Sequence, residues 1–81
     1  MSDSEKSPDA TKDLVGIGCP MNLVYAKVEL ARLAQGQILE IILDDGAPVT
    51  NVSRSVLNEG HKILEKEQRE DGSWSVLIRK G

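Results

Sequence analysis

The spacing of hydrophobic residues changes from one stretch of the chain to the next, and each change predicts a new element. A short apolar run with Leu14, Val15 and Ile17 predicts a first strand over residues 13–17. Beyond Pro20 the apolar residues recur every three or four positions, which predicts a helix that ends near Gly36. The face that this spacing predicts to be buried consists of Leu23, Ala26, Leu30 and Leu33.

A second apolar row adjoins that face, and its purpose stays open at this point. Val24, Val28 and Ala31 either widen the buried stripe or remain exposed for a partner, and we favour the broad core face. Lys27 lies near the edge of the stripe. Its long side chain can therefore reach solvent or lean toward the start of the helix.

Three further strands follow from the pattern. A β-branched run over 37–43 predicts a strand that ends at the turn Asp44-Asp45-Gly46. Residues 74–79 alternate between the two faces of a strand, and Asp71-Gly72 is a hairpin signal. Residues 61–68 contain good helix formers, but the hairpin requires a partner, so we interpret them as a polar edge strand.

A weaker helical pattern lies between these strands. Residues 48–60 predict a second helix with Thr50 or Asn51 as its N-terminal cap. Arg54 lies outside the apolar stripe of this helix, where it contacts either solvent or a partner. The predicted apolar face consists of Val52, Val56 and Leu57.

The elements together predict the order β-α-β-α-β-β and an α+β fold. This fold is a two-layer α/β sandwich in which two helices cover one face of a four-stranded mixed sheet. A strand-helix-strand connection makes the first two strands parallel, so Cys19 and Asp44-Asp45 are expected at the same end of the sheet. Carboxylates near a sulfur oppose thiolate formation unless they point away from it.

Composition and charge narrow the class of protein. Residues 1–12 contain almost no apolar side chain, which predicts a disordered tail before a domain over 13–81. We find no stretch typical of a signal peptide or membrane span, so we expect a cytoplasmic protein without a membrane partner. A net charge of −3, a pI near 5.0 and only two aromatic residues argue against nucleic acid as a partner.

Cys19, the only cysteine, is the candidate for chemistry. Pro20 is favoured at the first helical position, so Cys19 is expected at or beside the N-cap, where the helix dipole stabilises a thiolate. A free cysteine is more often a buried, inert residue, but this position after Gly18 favours chemistry somewhat. The acids and His61 show no metal-ligand spacing, so we expect no metal or cofactor, and His61 is interpreted as a turn or strand-end residue.

Several short motifs, together with this order of elements, resemble the TusA/SirA family of small sulfur carrier proteins. The resemblance extends from about residue 13 to the C-terminus. The motifs are Gly18-Cys19-Pro20, Leu43-Asp44-Asp45, Asp45-Gly46-Ala47-Pro48-Val49, Glu59-Gly60-His61 and Val76-Leu77-Ile78-Arg79-Lys80.

The resemblance implies the strand order 1-2-4-3 and a sulfurtransferase that acts as a persulfide carrier, with sulfane sulfur on Cys19. The family typically has Cys-Pro-x-Pro, whereas this chain has Asn22 in the second proline position. Asn22 would restore an N–H to the first turn and place an amide near the sulfur. The implied partners are a persulfide donor, either a cysteine desulfurase or a rhodanese, and a thiol acceptor protein. The residues expected to support the motif are Gly18, Pro20, Met21 and Asn22, and those expected on the partner surface are Val24, Lys27 and Arg54.

Other functions remain as alternatives to a sulfur carrier. A thiol redox sensor would use the same activated cysteine, although the chain has no second cysteine to resolve an oxidised form. A small interaction or regulatory domain would need no chemistry at Cys19. An RNA-binding module can share this order of elements, but the acidic charge argues against it.

Overall fold

The computed structural model describes residues 8–18 and 20–81. Its elements are β1 (Ala10–Asp13), α1 (Met21–Ala31), β2 (Ile38–Leu43), α2 (Ala47–Asn58), β3 (Lys62–Gln68) and β4 (Trp74–Arg79). This is the predicted order β-α-β-α-β-β.

The four strands form one mixed sheet in the order β1-β2-β4-β3. β1 and β2 are parallel, and both β2–β4 and β3–β4 are antiparallel pairs. The predicted fold class and strand order are therefore confirmed. The charged strand β3 lies at the edge of the sheet, where its side chains discourage pairing with another sheet edge.

Alternate residues of the central strands carry the hydrophobic core. Leu39, Ile41 and Leu43 of β2 lie on the face that packs against both helices. Because strand residues alternate between faces, the helices cover one side of the sheet. The other main members of this core are Leu14, Ala26, Leu30, Val49, Val52, Val56, Val76 and Ile78.

The first strand lies earlier in the chain than the apolar pattern predicts. β1 pairs Ala10–Asp13 with Leu39–Ile42, so residues 10–12 of the predicted tail belong to the sheet. Backbone hydrogen bonds to β2 place these residues in the sheet, and side-chain hydropathy does not predict such bonds. The predicted strand over 13–17 is wrong beyond Asp13 because Gly16, at φ 82°, leaves the extended conformation. Residues 1–7 lie outside the described part of the chain.

The helix boundaries also differ from the predicted ones. α1 ends at Ala31 and Gly36 instead donates its N–H to the Lys80 carbonyl, 2.8 Å away, just before β2. α2 begins at Ala47, so the predicted caps lie inside the helix, and the Thr50 N–H donates to the Gly46 carbonyl over 3.2 Å. The predicted burial of Leu57 is wrong, because this side chain is 53% exposed.

Neither α1 nor α2 approaches the length of a membrane span. Their lengths are 11 and 12 residues, whereas about 20 apolar residues are needed to cross a bilayer. Within residues 8–18 and 20–81, no helix is long and apolar enough to cross a membrane.

Candidate functional site

The loop that leads to Cys19 lies at the carboxyl-terminal ends of the parallel strands β1 and β2. We refer to residues 14–18 as the 14–18 loop. Its Gly16 N–H donates a 2.8 Å hydrogen bond to the Asp44 Oδ2 atom, just after β2. The contact joins the segments that follow β1 and β2, whose parallel pairing brings these ends together. The expectation that Cys19 lies at the same end of the sheet as Asp44-Asp45 falls on a residue outside the described part of the chain, but the loop before Cys19 contacts Asp44.

Backbone hydrogen bonds hold the start of the 14–18 loop. The Leu14 N–H donates to the Ile42 carbonyl over 2.8 Å, which extends the parallel pairing by one residue, and the Leu14 side chain is buried. The Asp13 Oδ1 atom accepts the Val15 N–H at 2.9 Å. The Ile17 N–H then donates to the Leu14 carbonyl at 3.1 Å and closes a turn. The chain therefore leaves β1 along a defined path.

The start of α1 follows directly after Cys19 in the sequence. Pro20 is the N-cap residue, one position before its predicted place, and Met21 is the first helical residue. The placement of Cys19 itself lies outside the described residues. The Pro20 carbonyl accepts the N–H groups of Leu23 and Val24 at 3.1 and 3.2 Å. The Met21 N–H, in contrast, donates to no described residue, as is usual for the first N–H groups of a helix.

Asn22 is the residue of this site that sequence reasoning placed least well. The predicted buried face contained Leu23, but the buried row of α1 is Asn22, Ala26 and Leu30. The expected first-turn N–H is present and donates to the Gly18 carbonyl at 3.0 Å. The side chain is only 1% exposed, its Oδ1 atom accepts the Leu23 N–H at 2.6 Å, and its Nδ2 atom has no hydrogen-bond partner among described residues.

An exposed apolar row runs along α1 from its first residue. Met21, Val24 and Val28 are 46%, 44% and 43% exposed, and their spacing places them on one side of the helix. We call these three residues the α1 strip. The interpretation of Val24 and Val28 as part of a broad core face is therefore wrong. The strip begins two residues after Cys19 in sequence and leaves an apolar surface next to the site.

Lys27 and Arg54, the charged residues expected on a partner surface, lie on different helices. The Lys27 Nζ atom forms a 2.7 Å ion pair with the Glu59 carboxylate at the end of α2. Arg54 is exposed on α2, and no described ion pair includes it. No described contact joins either residue to Val24, so their assignment to one partner surface remains a prediction.

The acidic turn has structural contacts that its sequence alone does not reveal. Asp44 holds the 14–18 loop, and Asp45 accepts the Trp74 indole N–H at 2.8 Å. His61 lies just before β3 and accepts the Gly81 N–H through Nδ1 at 3.1 Å. In the described part of the chain, no three His, Cys, Asp or Glu residues cluster in a way that could hold a metal ion. The parallel strand pairing was the only signal that could have indicated the role of Asp44.

A cavity of about 220 Å³ lies at the other end of the sheet. Its lining comes from residues that precede β2, from the first residue of β3, and from the last residue of β4 with the two residues after it. Cavities often mark sites for small molecules, but this one is remote from the 14–18 loop. The lining residues are Gln35, Gly36, Lys62, Arg79, Lys80 and Gly81.

Comparison with known proteins gives consistent matches over this fold. The sequence model of the family described as "Sulfurtransferase TusA" matches residues 10–80. A "putative sulfur carrier protein" of Archaeoglobus fulgidus is 38% identical over 68 residues, which cover 84% of this chain and 77% of that protein. The Escherichia coli protein TsuB, named in the same way, is 32% identical over 84% of this chain and 91% of its own length.

A solved structure shows the same architecture. The crystal structure of a SirA-like protein from Desulfitobacterium hafniense superposes with a TM-score of 0.79 at 26% sequence identity. The superposition covers 89% of this chain and 97% of that protein. The two chains therefore share their fold over nearly their whole length.

Proposed function

The chain belongs to the TusA sulfurtransferase family, and on that premise we propose that it is a sulfur carrier that holds sulfane sulfur as a persulfide on Cys19. One observation carries the proposal beyond family membership. The only cysteine directly precedes the N-cap of α1, where the Met21 N–H has no acceptor among described residues. Such a helix end favours an anion, and both a thiolate and a persulfide are anions.

The proposed chemistry is an exchange between sulfur atoms without net oxidation. The Cys19 thiolate attacks the outer sulfur of a donor persulfide, R–S–SH. A new S–S bond forms, the donor S–S bond breaks, and the donor leaves as the thiolate R–S⁻. The outer sulfur keeps its proton or releases it to solvent. A second exchange of the same kind then delivers this sulfur. An acceptor thiolate attacks it, the S–S bond to Cys19 breaks, and Cys19 leaves as a thiolate.

Delivery requires a second protein because the chain has no other cysteine. The α1 strip supports this part of the proposal, since Met21, Val24 and Val28 present an apolar surface near Cys19 in sequence. The proposed partners are a donor of the cysteine desulfurase or rhodanese class and a protein acceptor thiol.

Intact-mass measurement tests the proposal directly. The wild-type chain and Cys19→Ser are incubated with a cysteine desulfurase, pyridoxal phosphate and cysteine, or with rhodanese and thiosulfate. We expect the wild type to gain one sulfur atom, which a reductant removes, and the variant to gain none. The absence of an adduct from both donors, or equal uptake by Cys19→Ser, would contradict the carrier function.

A further inference from the structure

The Asn22 amide is buried without a complete set of hydrogen bonds. The residue is only 1% exposed, yet its Nδ2 atom has no hydrogen-bond partner among described residues. Buried amide donors in folded proteins nearly always have an acceptor, so an unpaired one requires an explanation. It lies in the first turn of α1, beside the helix end that carries the candidate chemistry.

The orientation of this amide is determined by its own hydrogen bond. Oδ1 accepts the Leu23 N–H at 2.6 Å, so a reversed amide would place an NH₂ group against another donor. The NH₂ group therefore points away from the Leu23 N–H. Helical side chains lean toward the preceding turn, and the bond from the Asn22 N–H to the Gly18 carbonyl defines that turn. The Asn22 side chain therefore leans toward the turn that begins at Gly18.

An apolar side chain would be less costly at this position if the amide had no acceptor. Burial of an unpaired NH₂ group lowers stability, whereas a leucine of similar branched shape has no such group to satisfy. A sulfur anion on residue 19 would supply the missing acceptor. A hydrogen bond to an anion is also stronger than one between neutral groups.

We infer that the Asn22 NH₂ group donates a hydrogen bond to the sulfur anion on Cys19. The acceptor is the thiolate when the carrier is empty and the outer sulfur when it is loaded. The loaded form of this contact rests on the proposed function, whereas the thiolate form does not. Asn22 is thus a sulfur-binding residue that acts together with the Met21 N–H.

The pH dependence of alkylation tests the contact without any sulfur donor. In Asn22→Leu we expect the apparent pKa of the Cys19 thiol to rise, so that iodoacetamide reacts about tenfold more slowly near neutral pH. Ser53→Ala is the matched control, because Ser53 Oγ is the other described buried side-chain atom without a hydrogen-bond partner. This control should leave the pH profile unchanged.

Circular dichroism establishes that each variant is folded before its profile is compared. If Asn22→Leu does not fold, Asn22→Ala removes the same amide without adding volume and should show the same rise in pKa. A folded variant with the wild-type profile overturns the inference, and so does an equal shift in Ser53→Ala.

Mass measurement of sulfur uptake separates this inference from the proposed function. Uptake by the wild type together with an unchanged pKa in Asn22→Leu would overturn the Asn22 contact and support the carrier function. A raised pKa in Asn22→Leu, with no sulfur uptake by the wild type, would support the amide–thiolate contact and contradict the carrier function. For a loaded carrier, Asn22→Leu should also shorten the lifetime of the persulfide in neutral buffer.

Discussion

Asp44 connects two segments that are 28 residues apart in the sequence. Its carboxylate accepts the Gly16 N–H, and Gly16 supplies the backbone conformation with φ 82° that turns the chain away from β1. The carboxylate therefore restricts the loop that leads to Cys19. An acidic residue at a turn is usually explained by solvation, so this role depends on a contact made only in the folded chain.

Replacement of Asp44 by alanine should weaken the loop more than the rest of the domain. We expect Asp44→Ala to lose about 1 kcal/mol of the free energy of unfolding, the typical worth of one hydrogen bond. Sulfur uptake by Cys19 should slow several-fold because the loop before it is less restricted. Urea unfolding and the rate of mass gain are the measurements. Asp44→Asn retains an acceptor oxygen and should lose less, and equal stability of Asp44→Ala and the wild type would contradict the role.

At the scale of elements, the boundary of α2 depends on the conformation of a single glycine. Gly46 is the N-cap residue with φ 92° and ψ −133°, a region that residues with a Cβ atom rarely adopt. Pro48 follows in the first turn, where the N–H that proline lacks would have no partner within the helix. Together they let α2 begin only three residues after Asp44.

Gly46→Ala should therefore destabilise the domain without any steric clash. An added Cβ atom meets nothing within 4 Å, so the whole cost comes from the backbone conformation. We expect a loss of about 1–3 kcal/mol in urea unfolding. Gly18→Ala is the matched control, because Gly18 has equally open space but no positive φ, and its stability should change little. Equal effects of the two substitutions would rule out the conformational explanation.

The hairpin between β3 and β4 contains a carboxylate with a pH-dependent role. Asp71 Oδ1 accepts the Ser73 hydroxyl at 2.6 Å and the Ser73 N–H at 2.9 Å. The side-chain hydrogen bond from Ser73 is the main cause that lowers the pKa of Asp71 below its ordinary value of 3.8. The ionised carboxylate consequently stabilises the folded hairpin above that value, and the contribution disappears as pH falls through the folded pKa.

Asp71→Asn should reveal this contribution through its pH dependence. The wild type should be more stable than the variant near neutral pH, and the difference should shrink below the ordinary pKa of 3.8. Urea unfolding of both proteins across this pH range is the measurement. Glu70→Gln, next to the turn, is the control for loss of a negative charge. A difference between wild type and Asp71→Asn that stays constant with pH would contradict the assignment.

At the scale of the whole molecule, one side of α1 remains an exposed apolar surface. The α1 strip is exposed because the buried row of α1 runs through Asn22, Ala26 and Leu30 on another side of the helix. Leu57, also exposed, lies on α2 and outside this strip. Exposed apolar residues in a row are a common feature of surfaces that bind other proteins.

Val24→Asp should impair sulfur exchange with partner proteins but preserve the fold. The side chain is already 44% exposed, so we expect a change of less than about 0.5 kcal/mol in the free energy of unfolding. Uptake from a protein persulfide should fall about tenfold or more, because a charge in an apolar interface must be desolvated. Alkylation of Cys19 by iodoacetamide, a small reagent that needs no docking surface, should fall much less, because the added carboxylate acts on the thiolate only through its charge.

Leu57→Asp is the control for this experiment. It places the same charge on an exposed apolar residue of α2 and should leave sulfur uptake unchanged. Equal uptake by Val24→Asp and the wild type would exclude the α1 strip as the donor surface. Equal losses in both variants would instead indicate a general effect of added negative charge on a chain that already carries a net charge of −3.

Local patterns were sufficient for the order of elements and the fold class. The three- and four-residue spacing after Pro20 and the alternation over 74–79 arise from the geometry of one helix and one strand. The parallel pairing of β1 and β2 then followed from the right-handed connection between them. Residues 10–12 were missed because their place in the sheet depends mainly on backbone bonds to β2, which their own hydropathy does not reveal.

The sequence by itself determined which residue is the candidate for the proposed chemistry, since the only cysteine stands before a proline at the start of a helix. Only the tertiary structure decided that Asn22 is buried, that Asp44 holds the 14–18 loop, and that Val24 and Val28 are exposed. The physical reason is the range of the interactions. Periodicity and capping act within a few residues, whereas burial and the Asp44 contact require segments distant in sequence to meet in the folded domain.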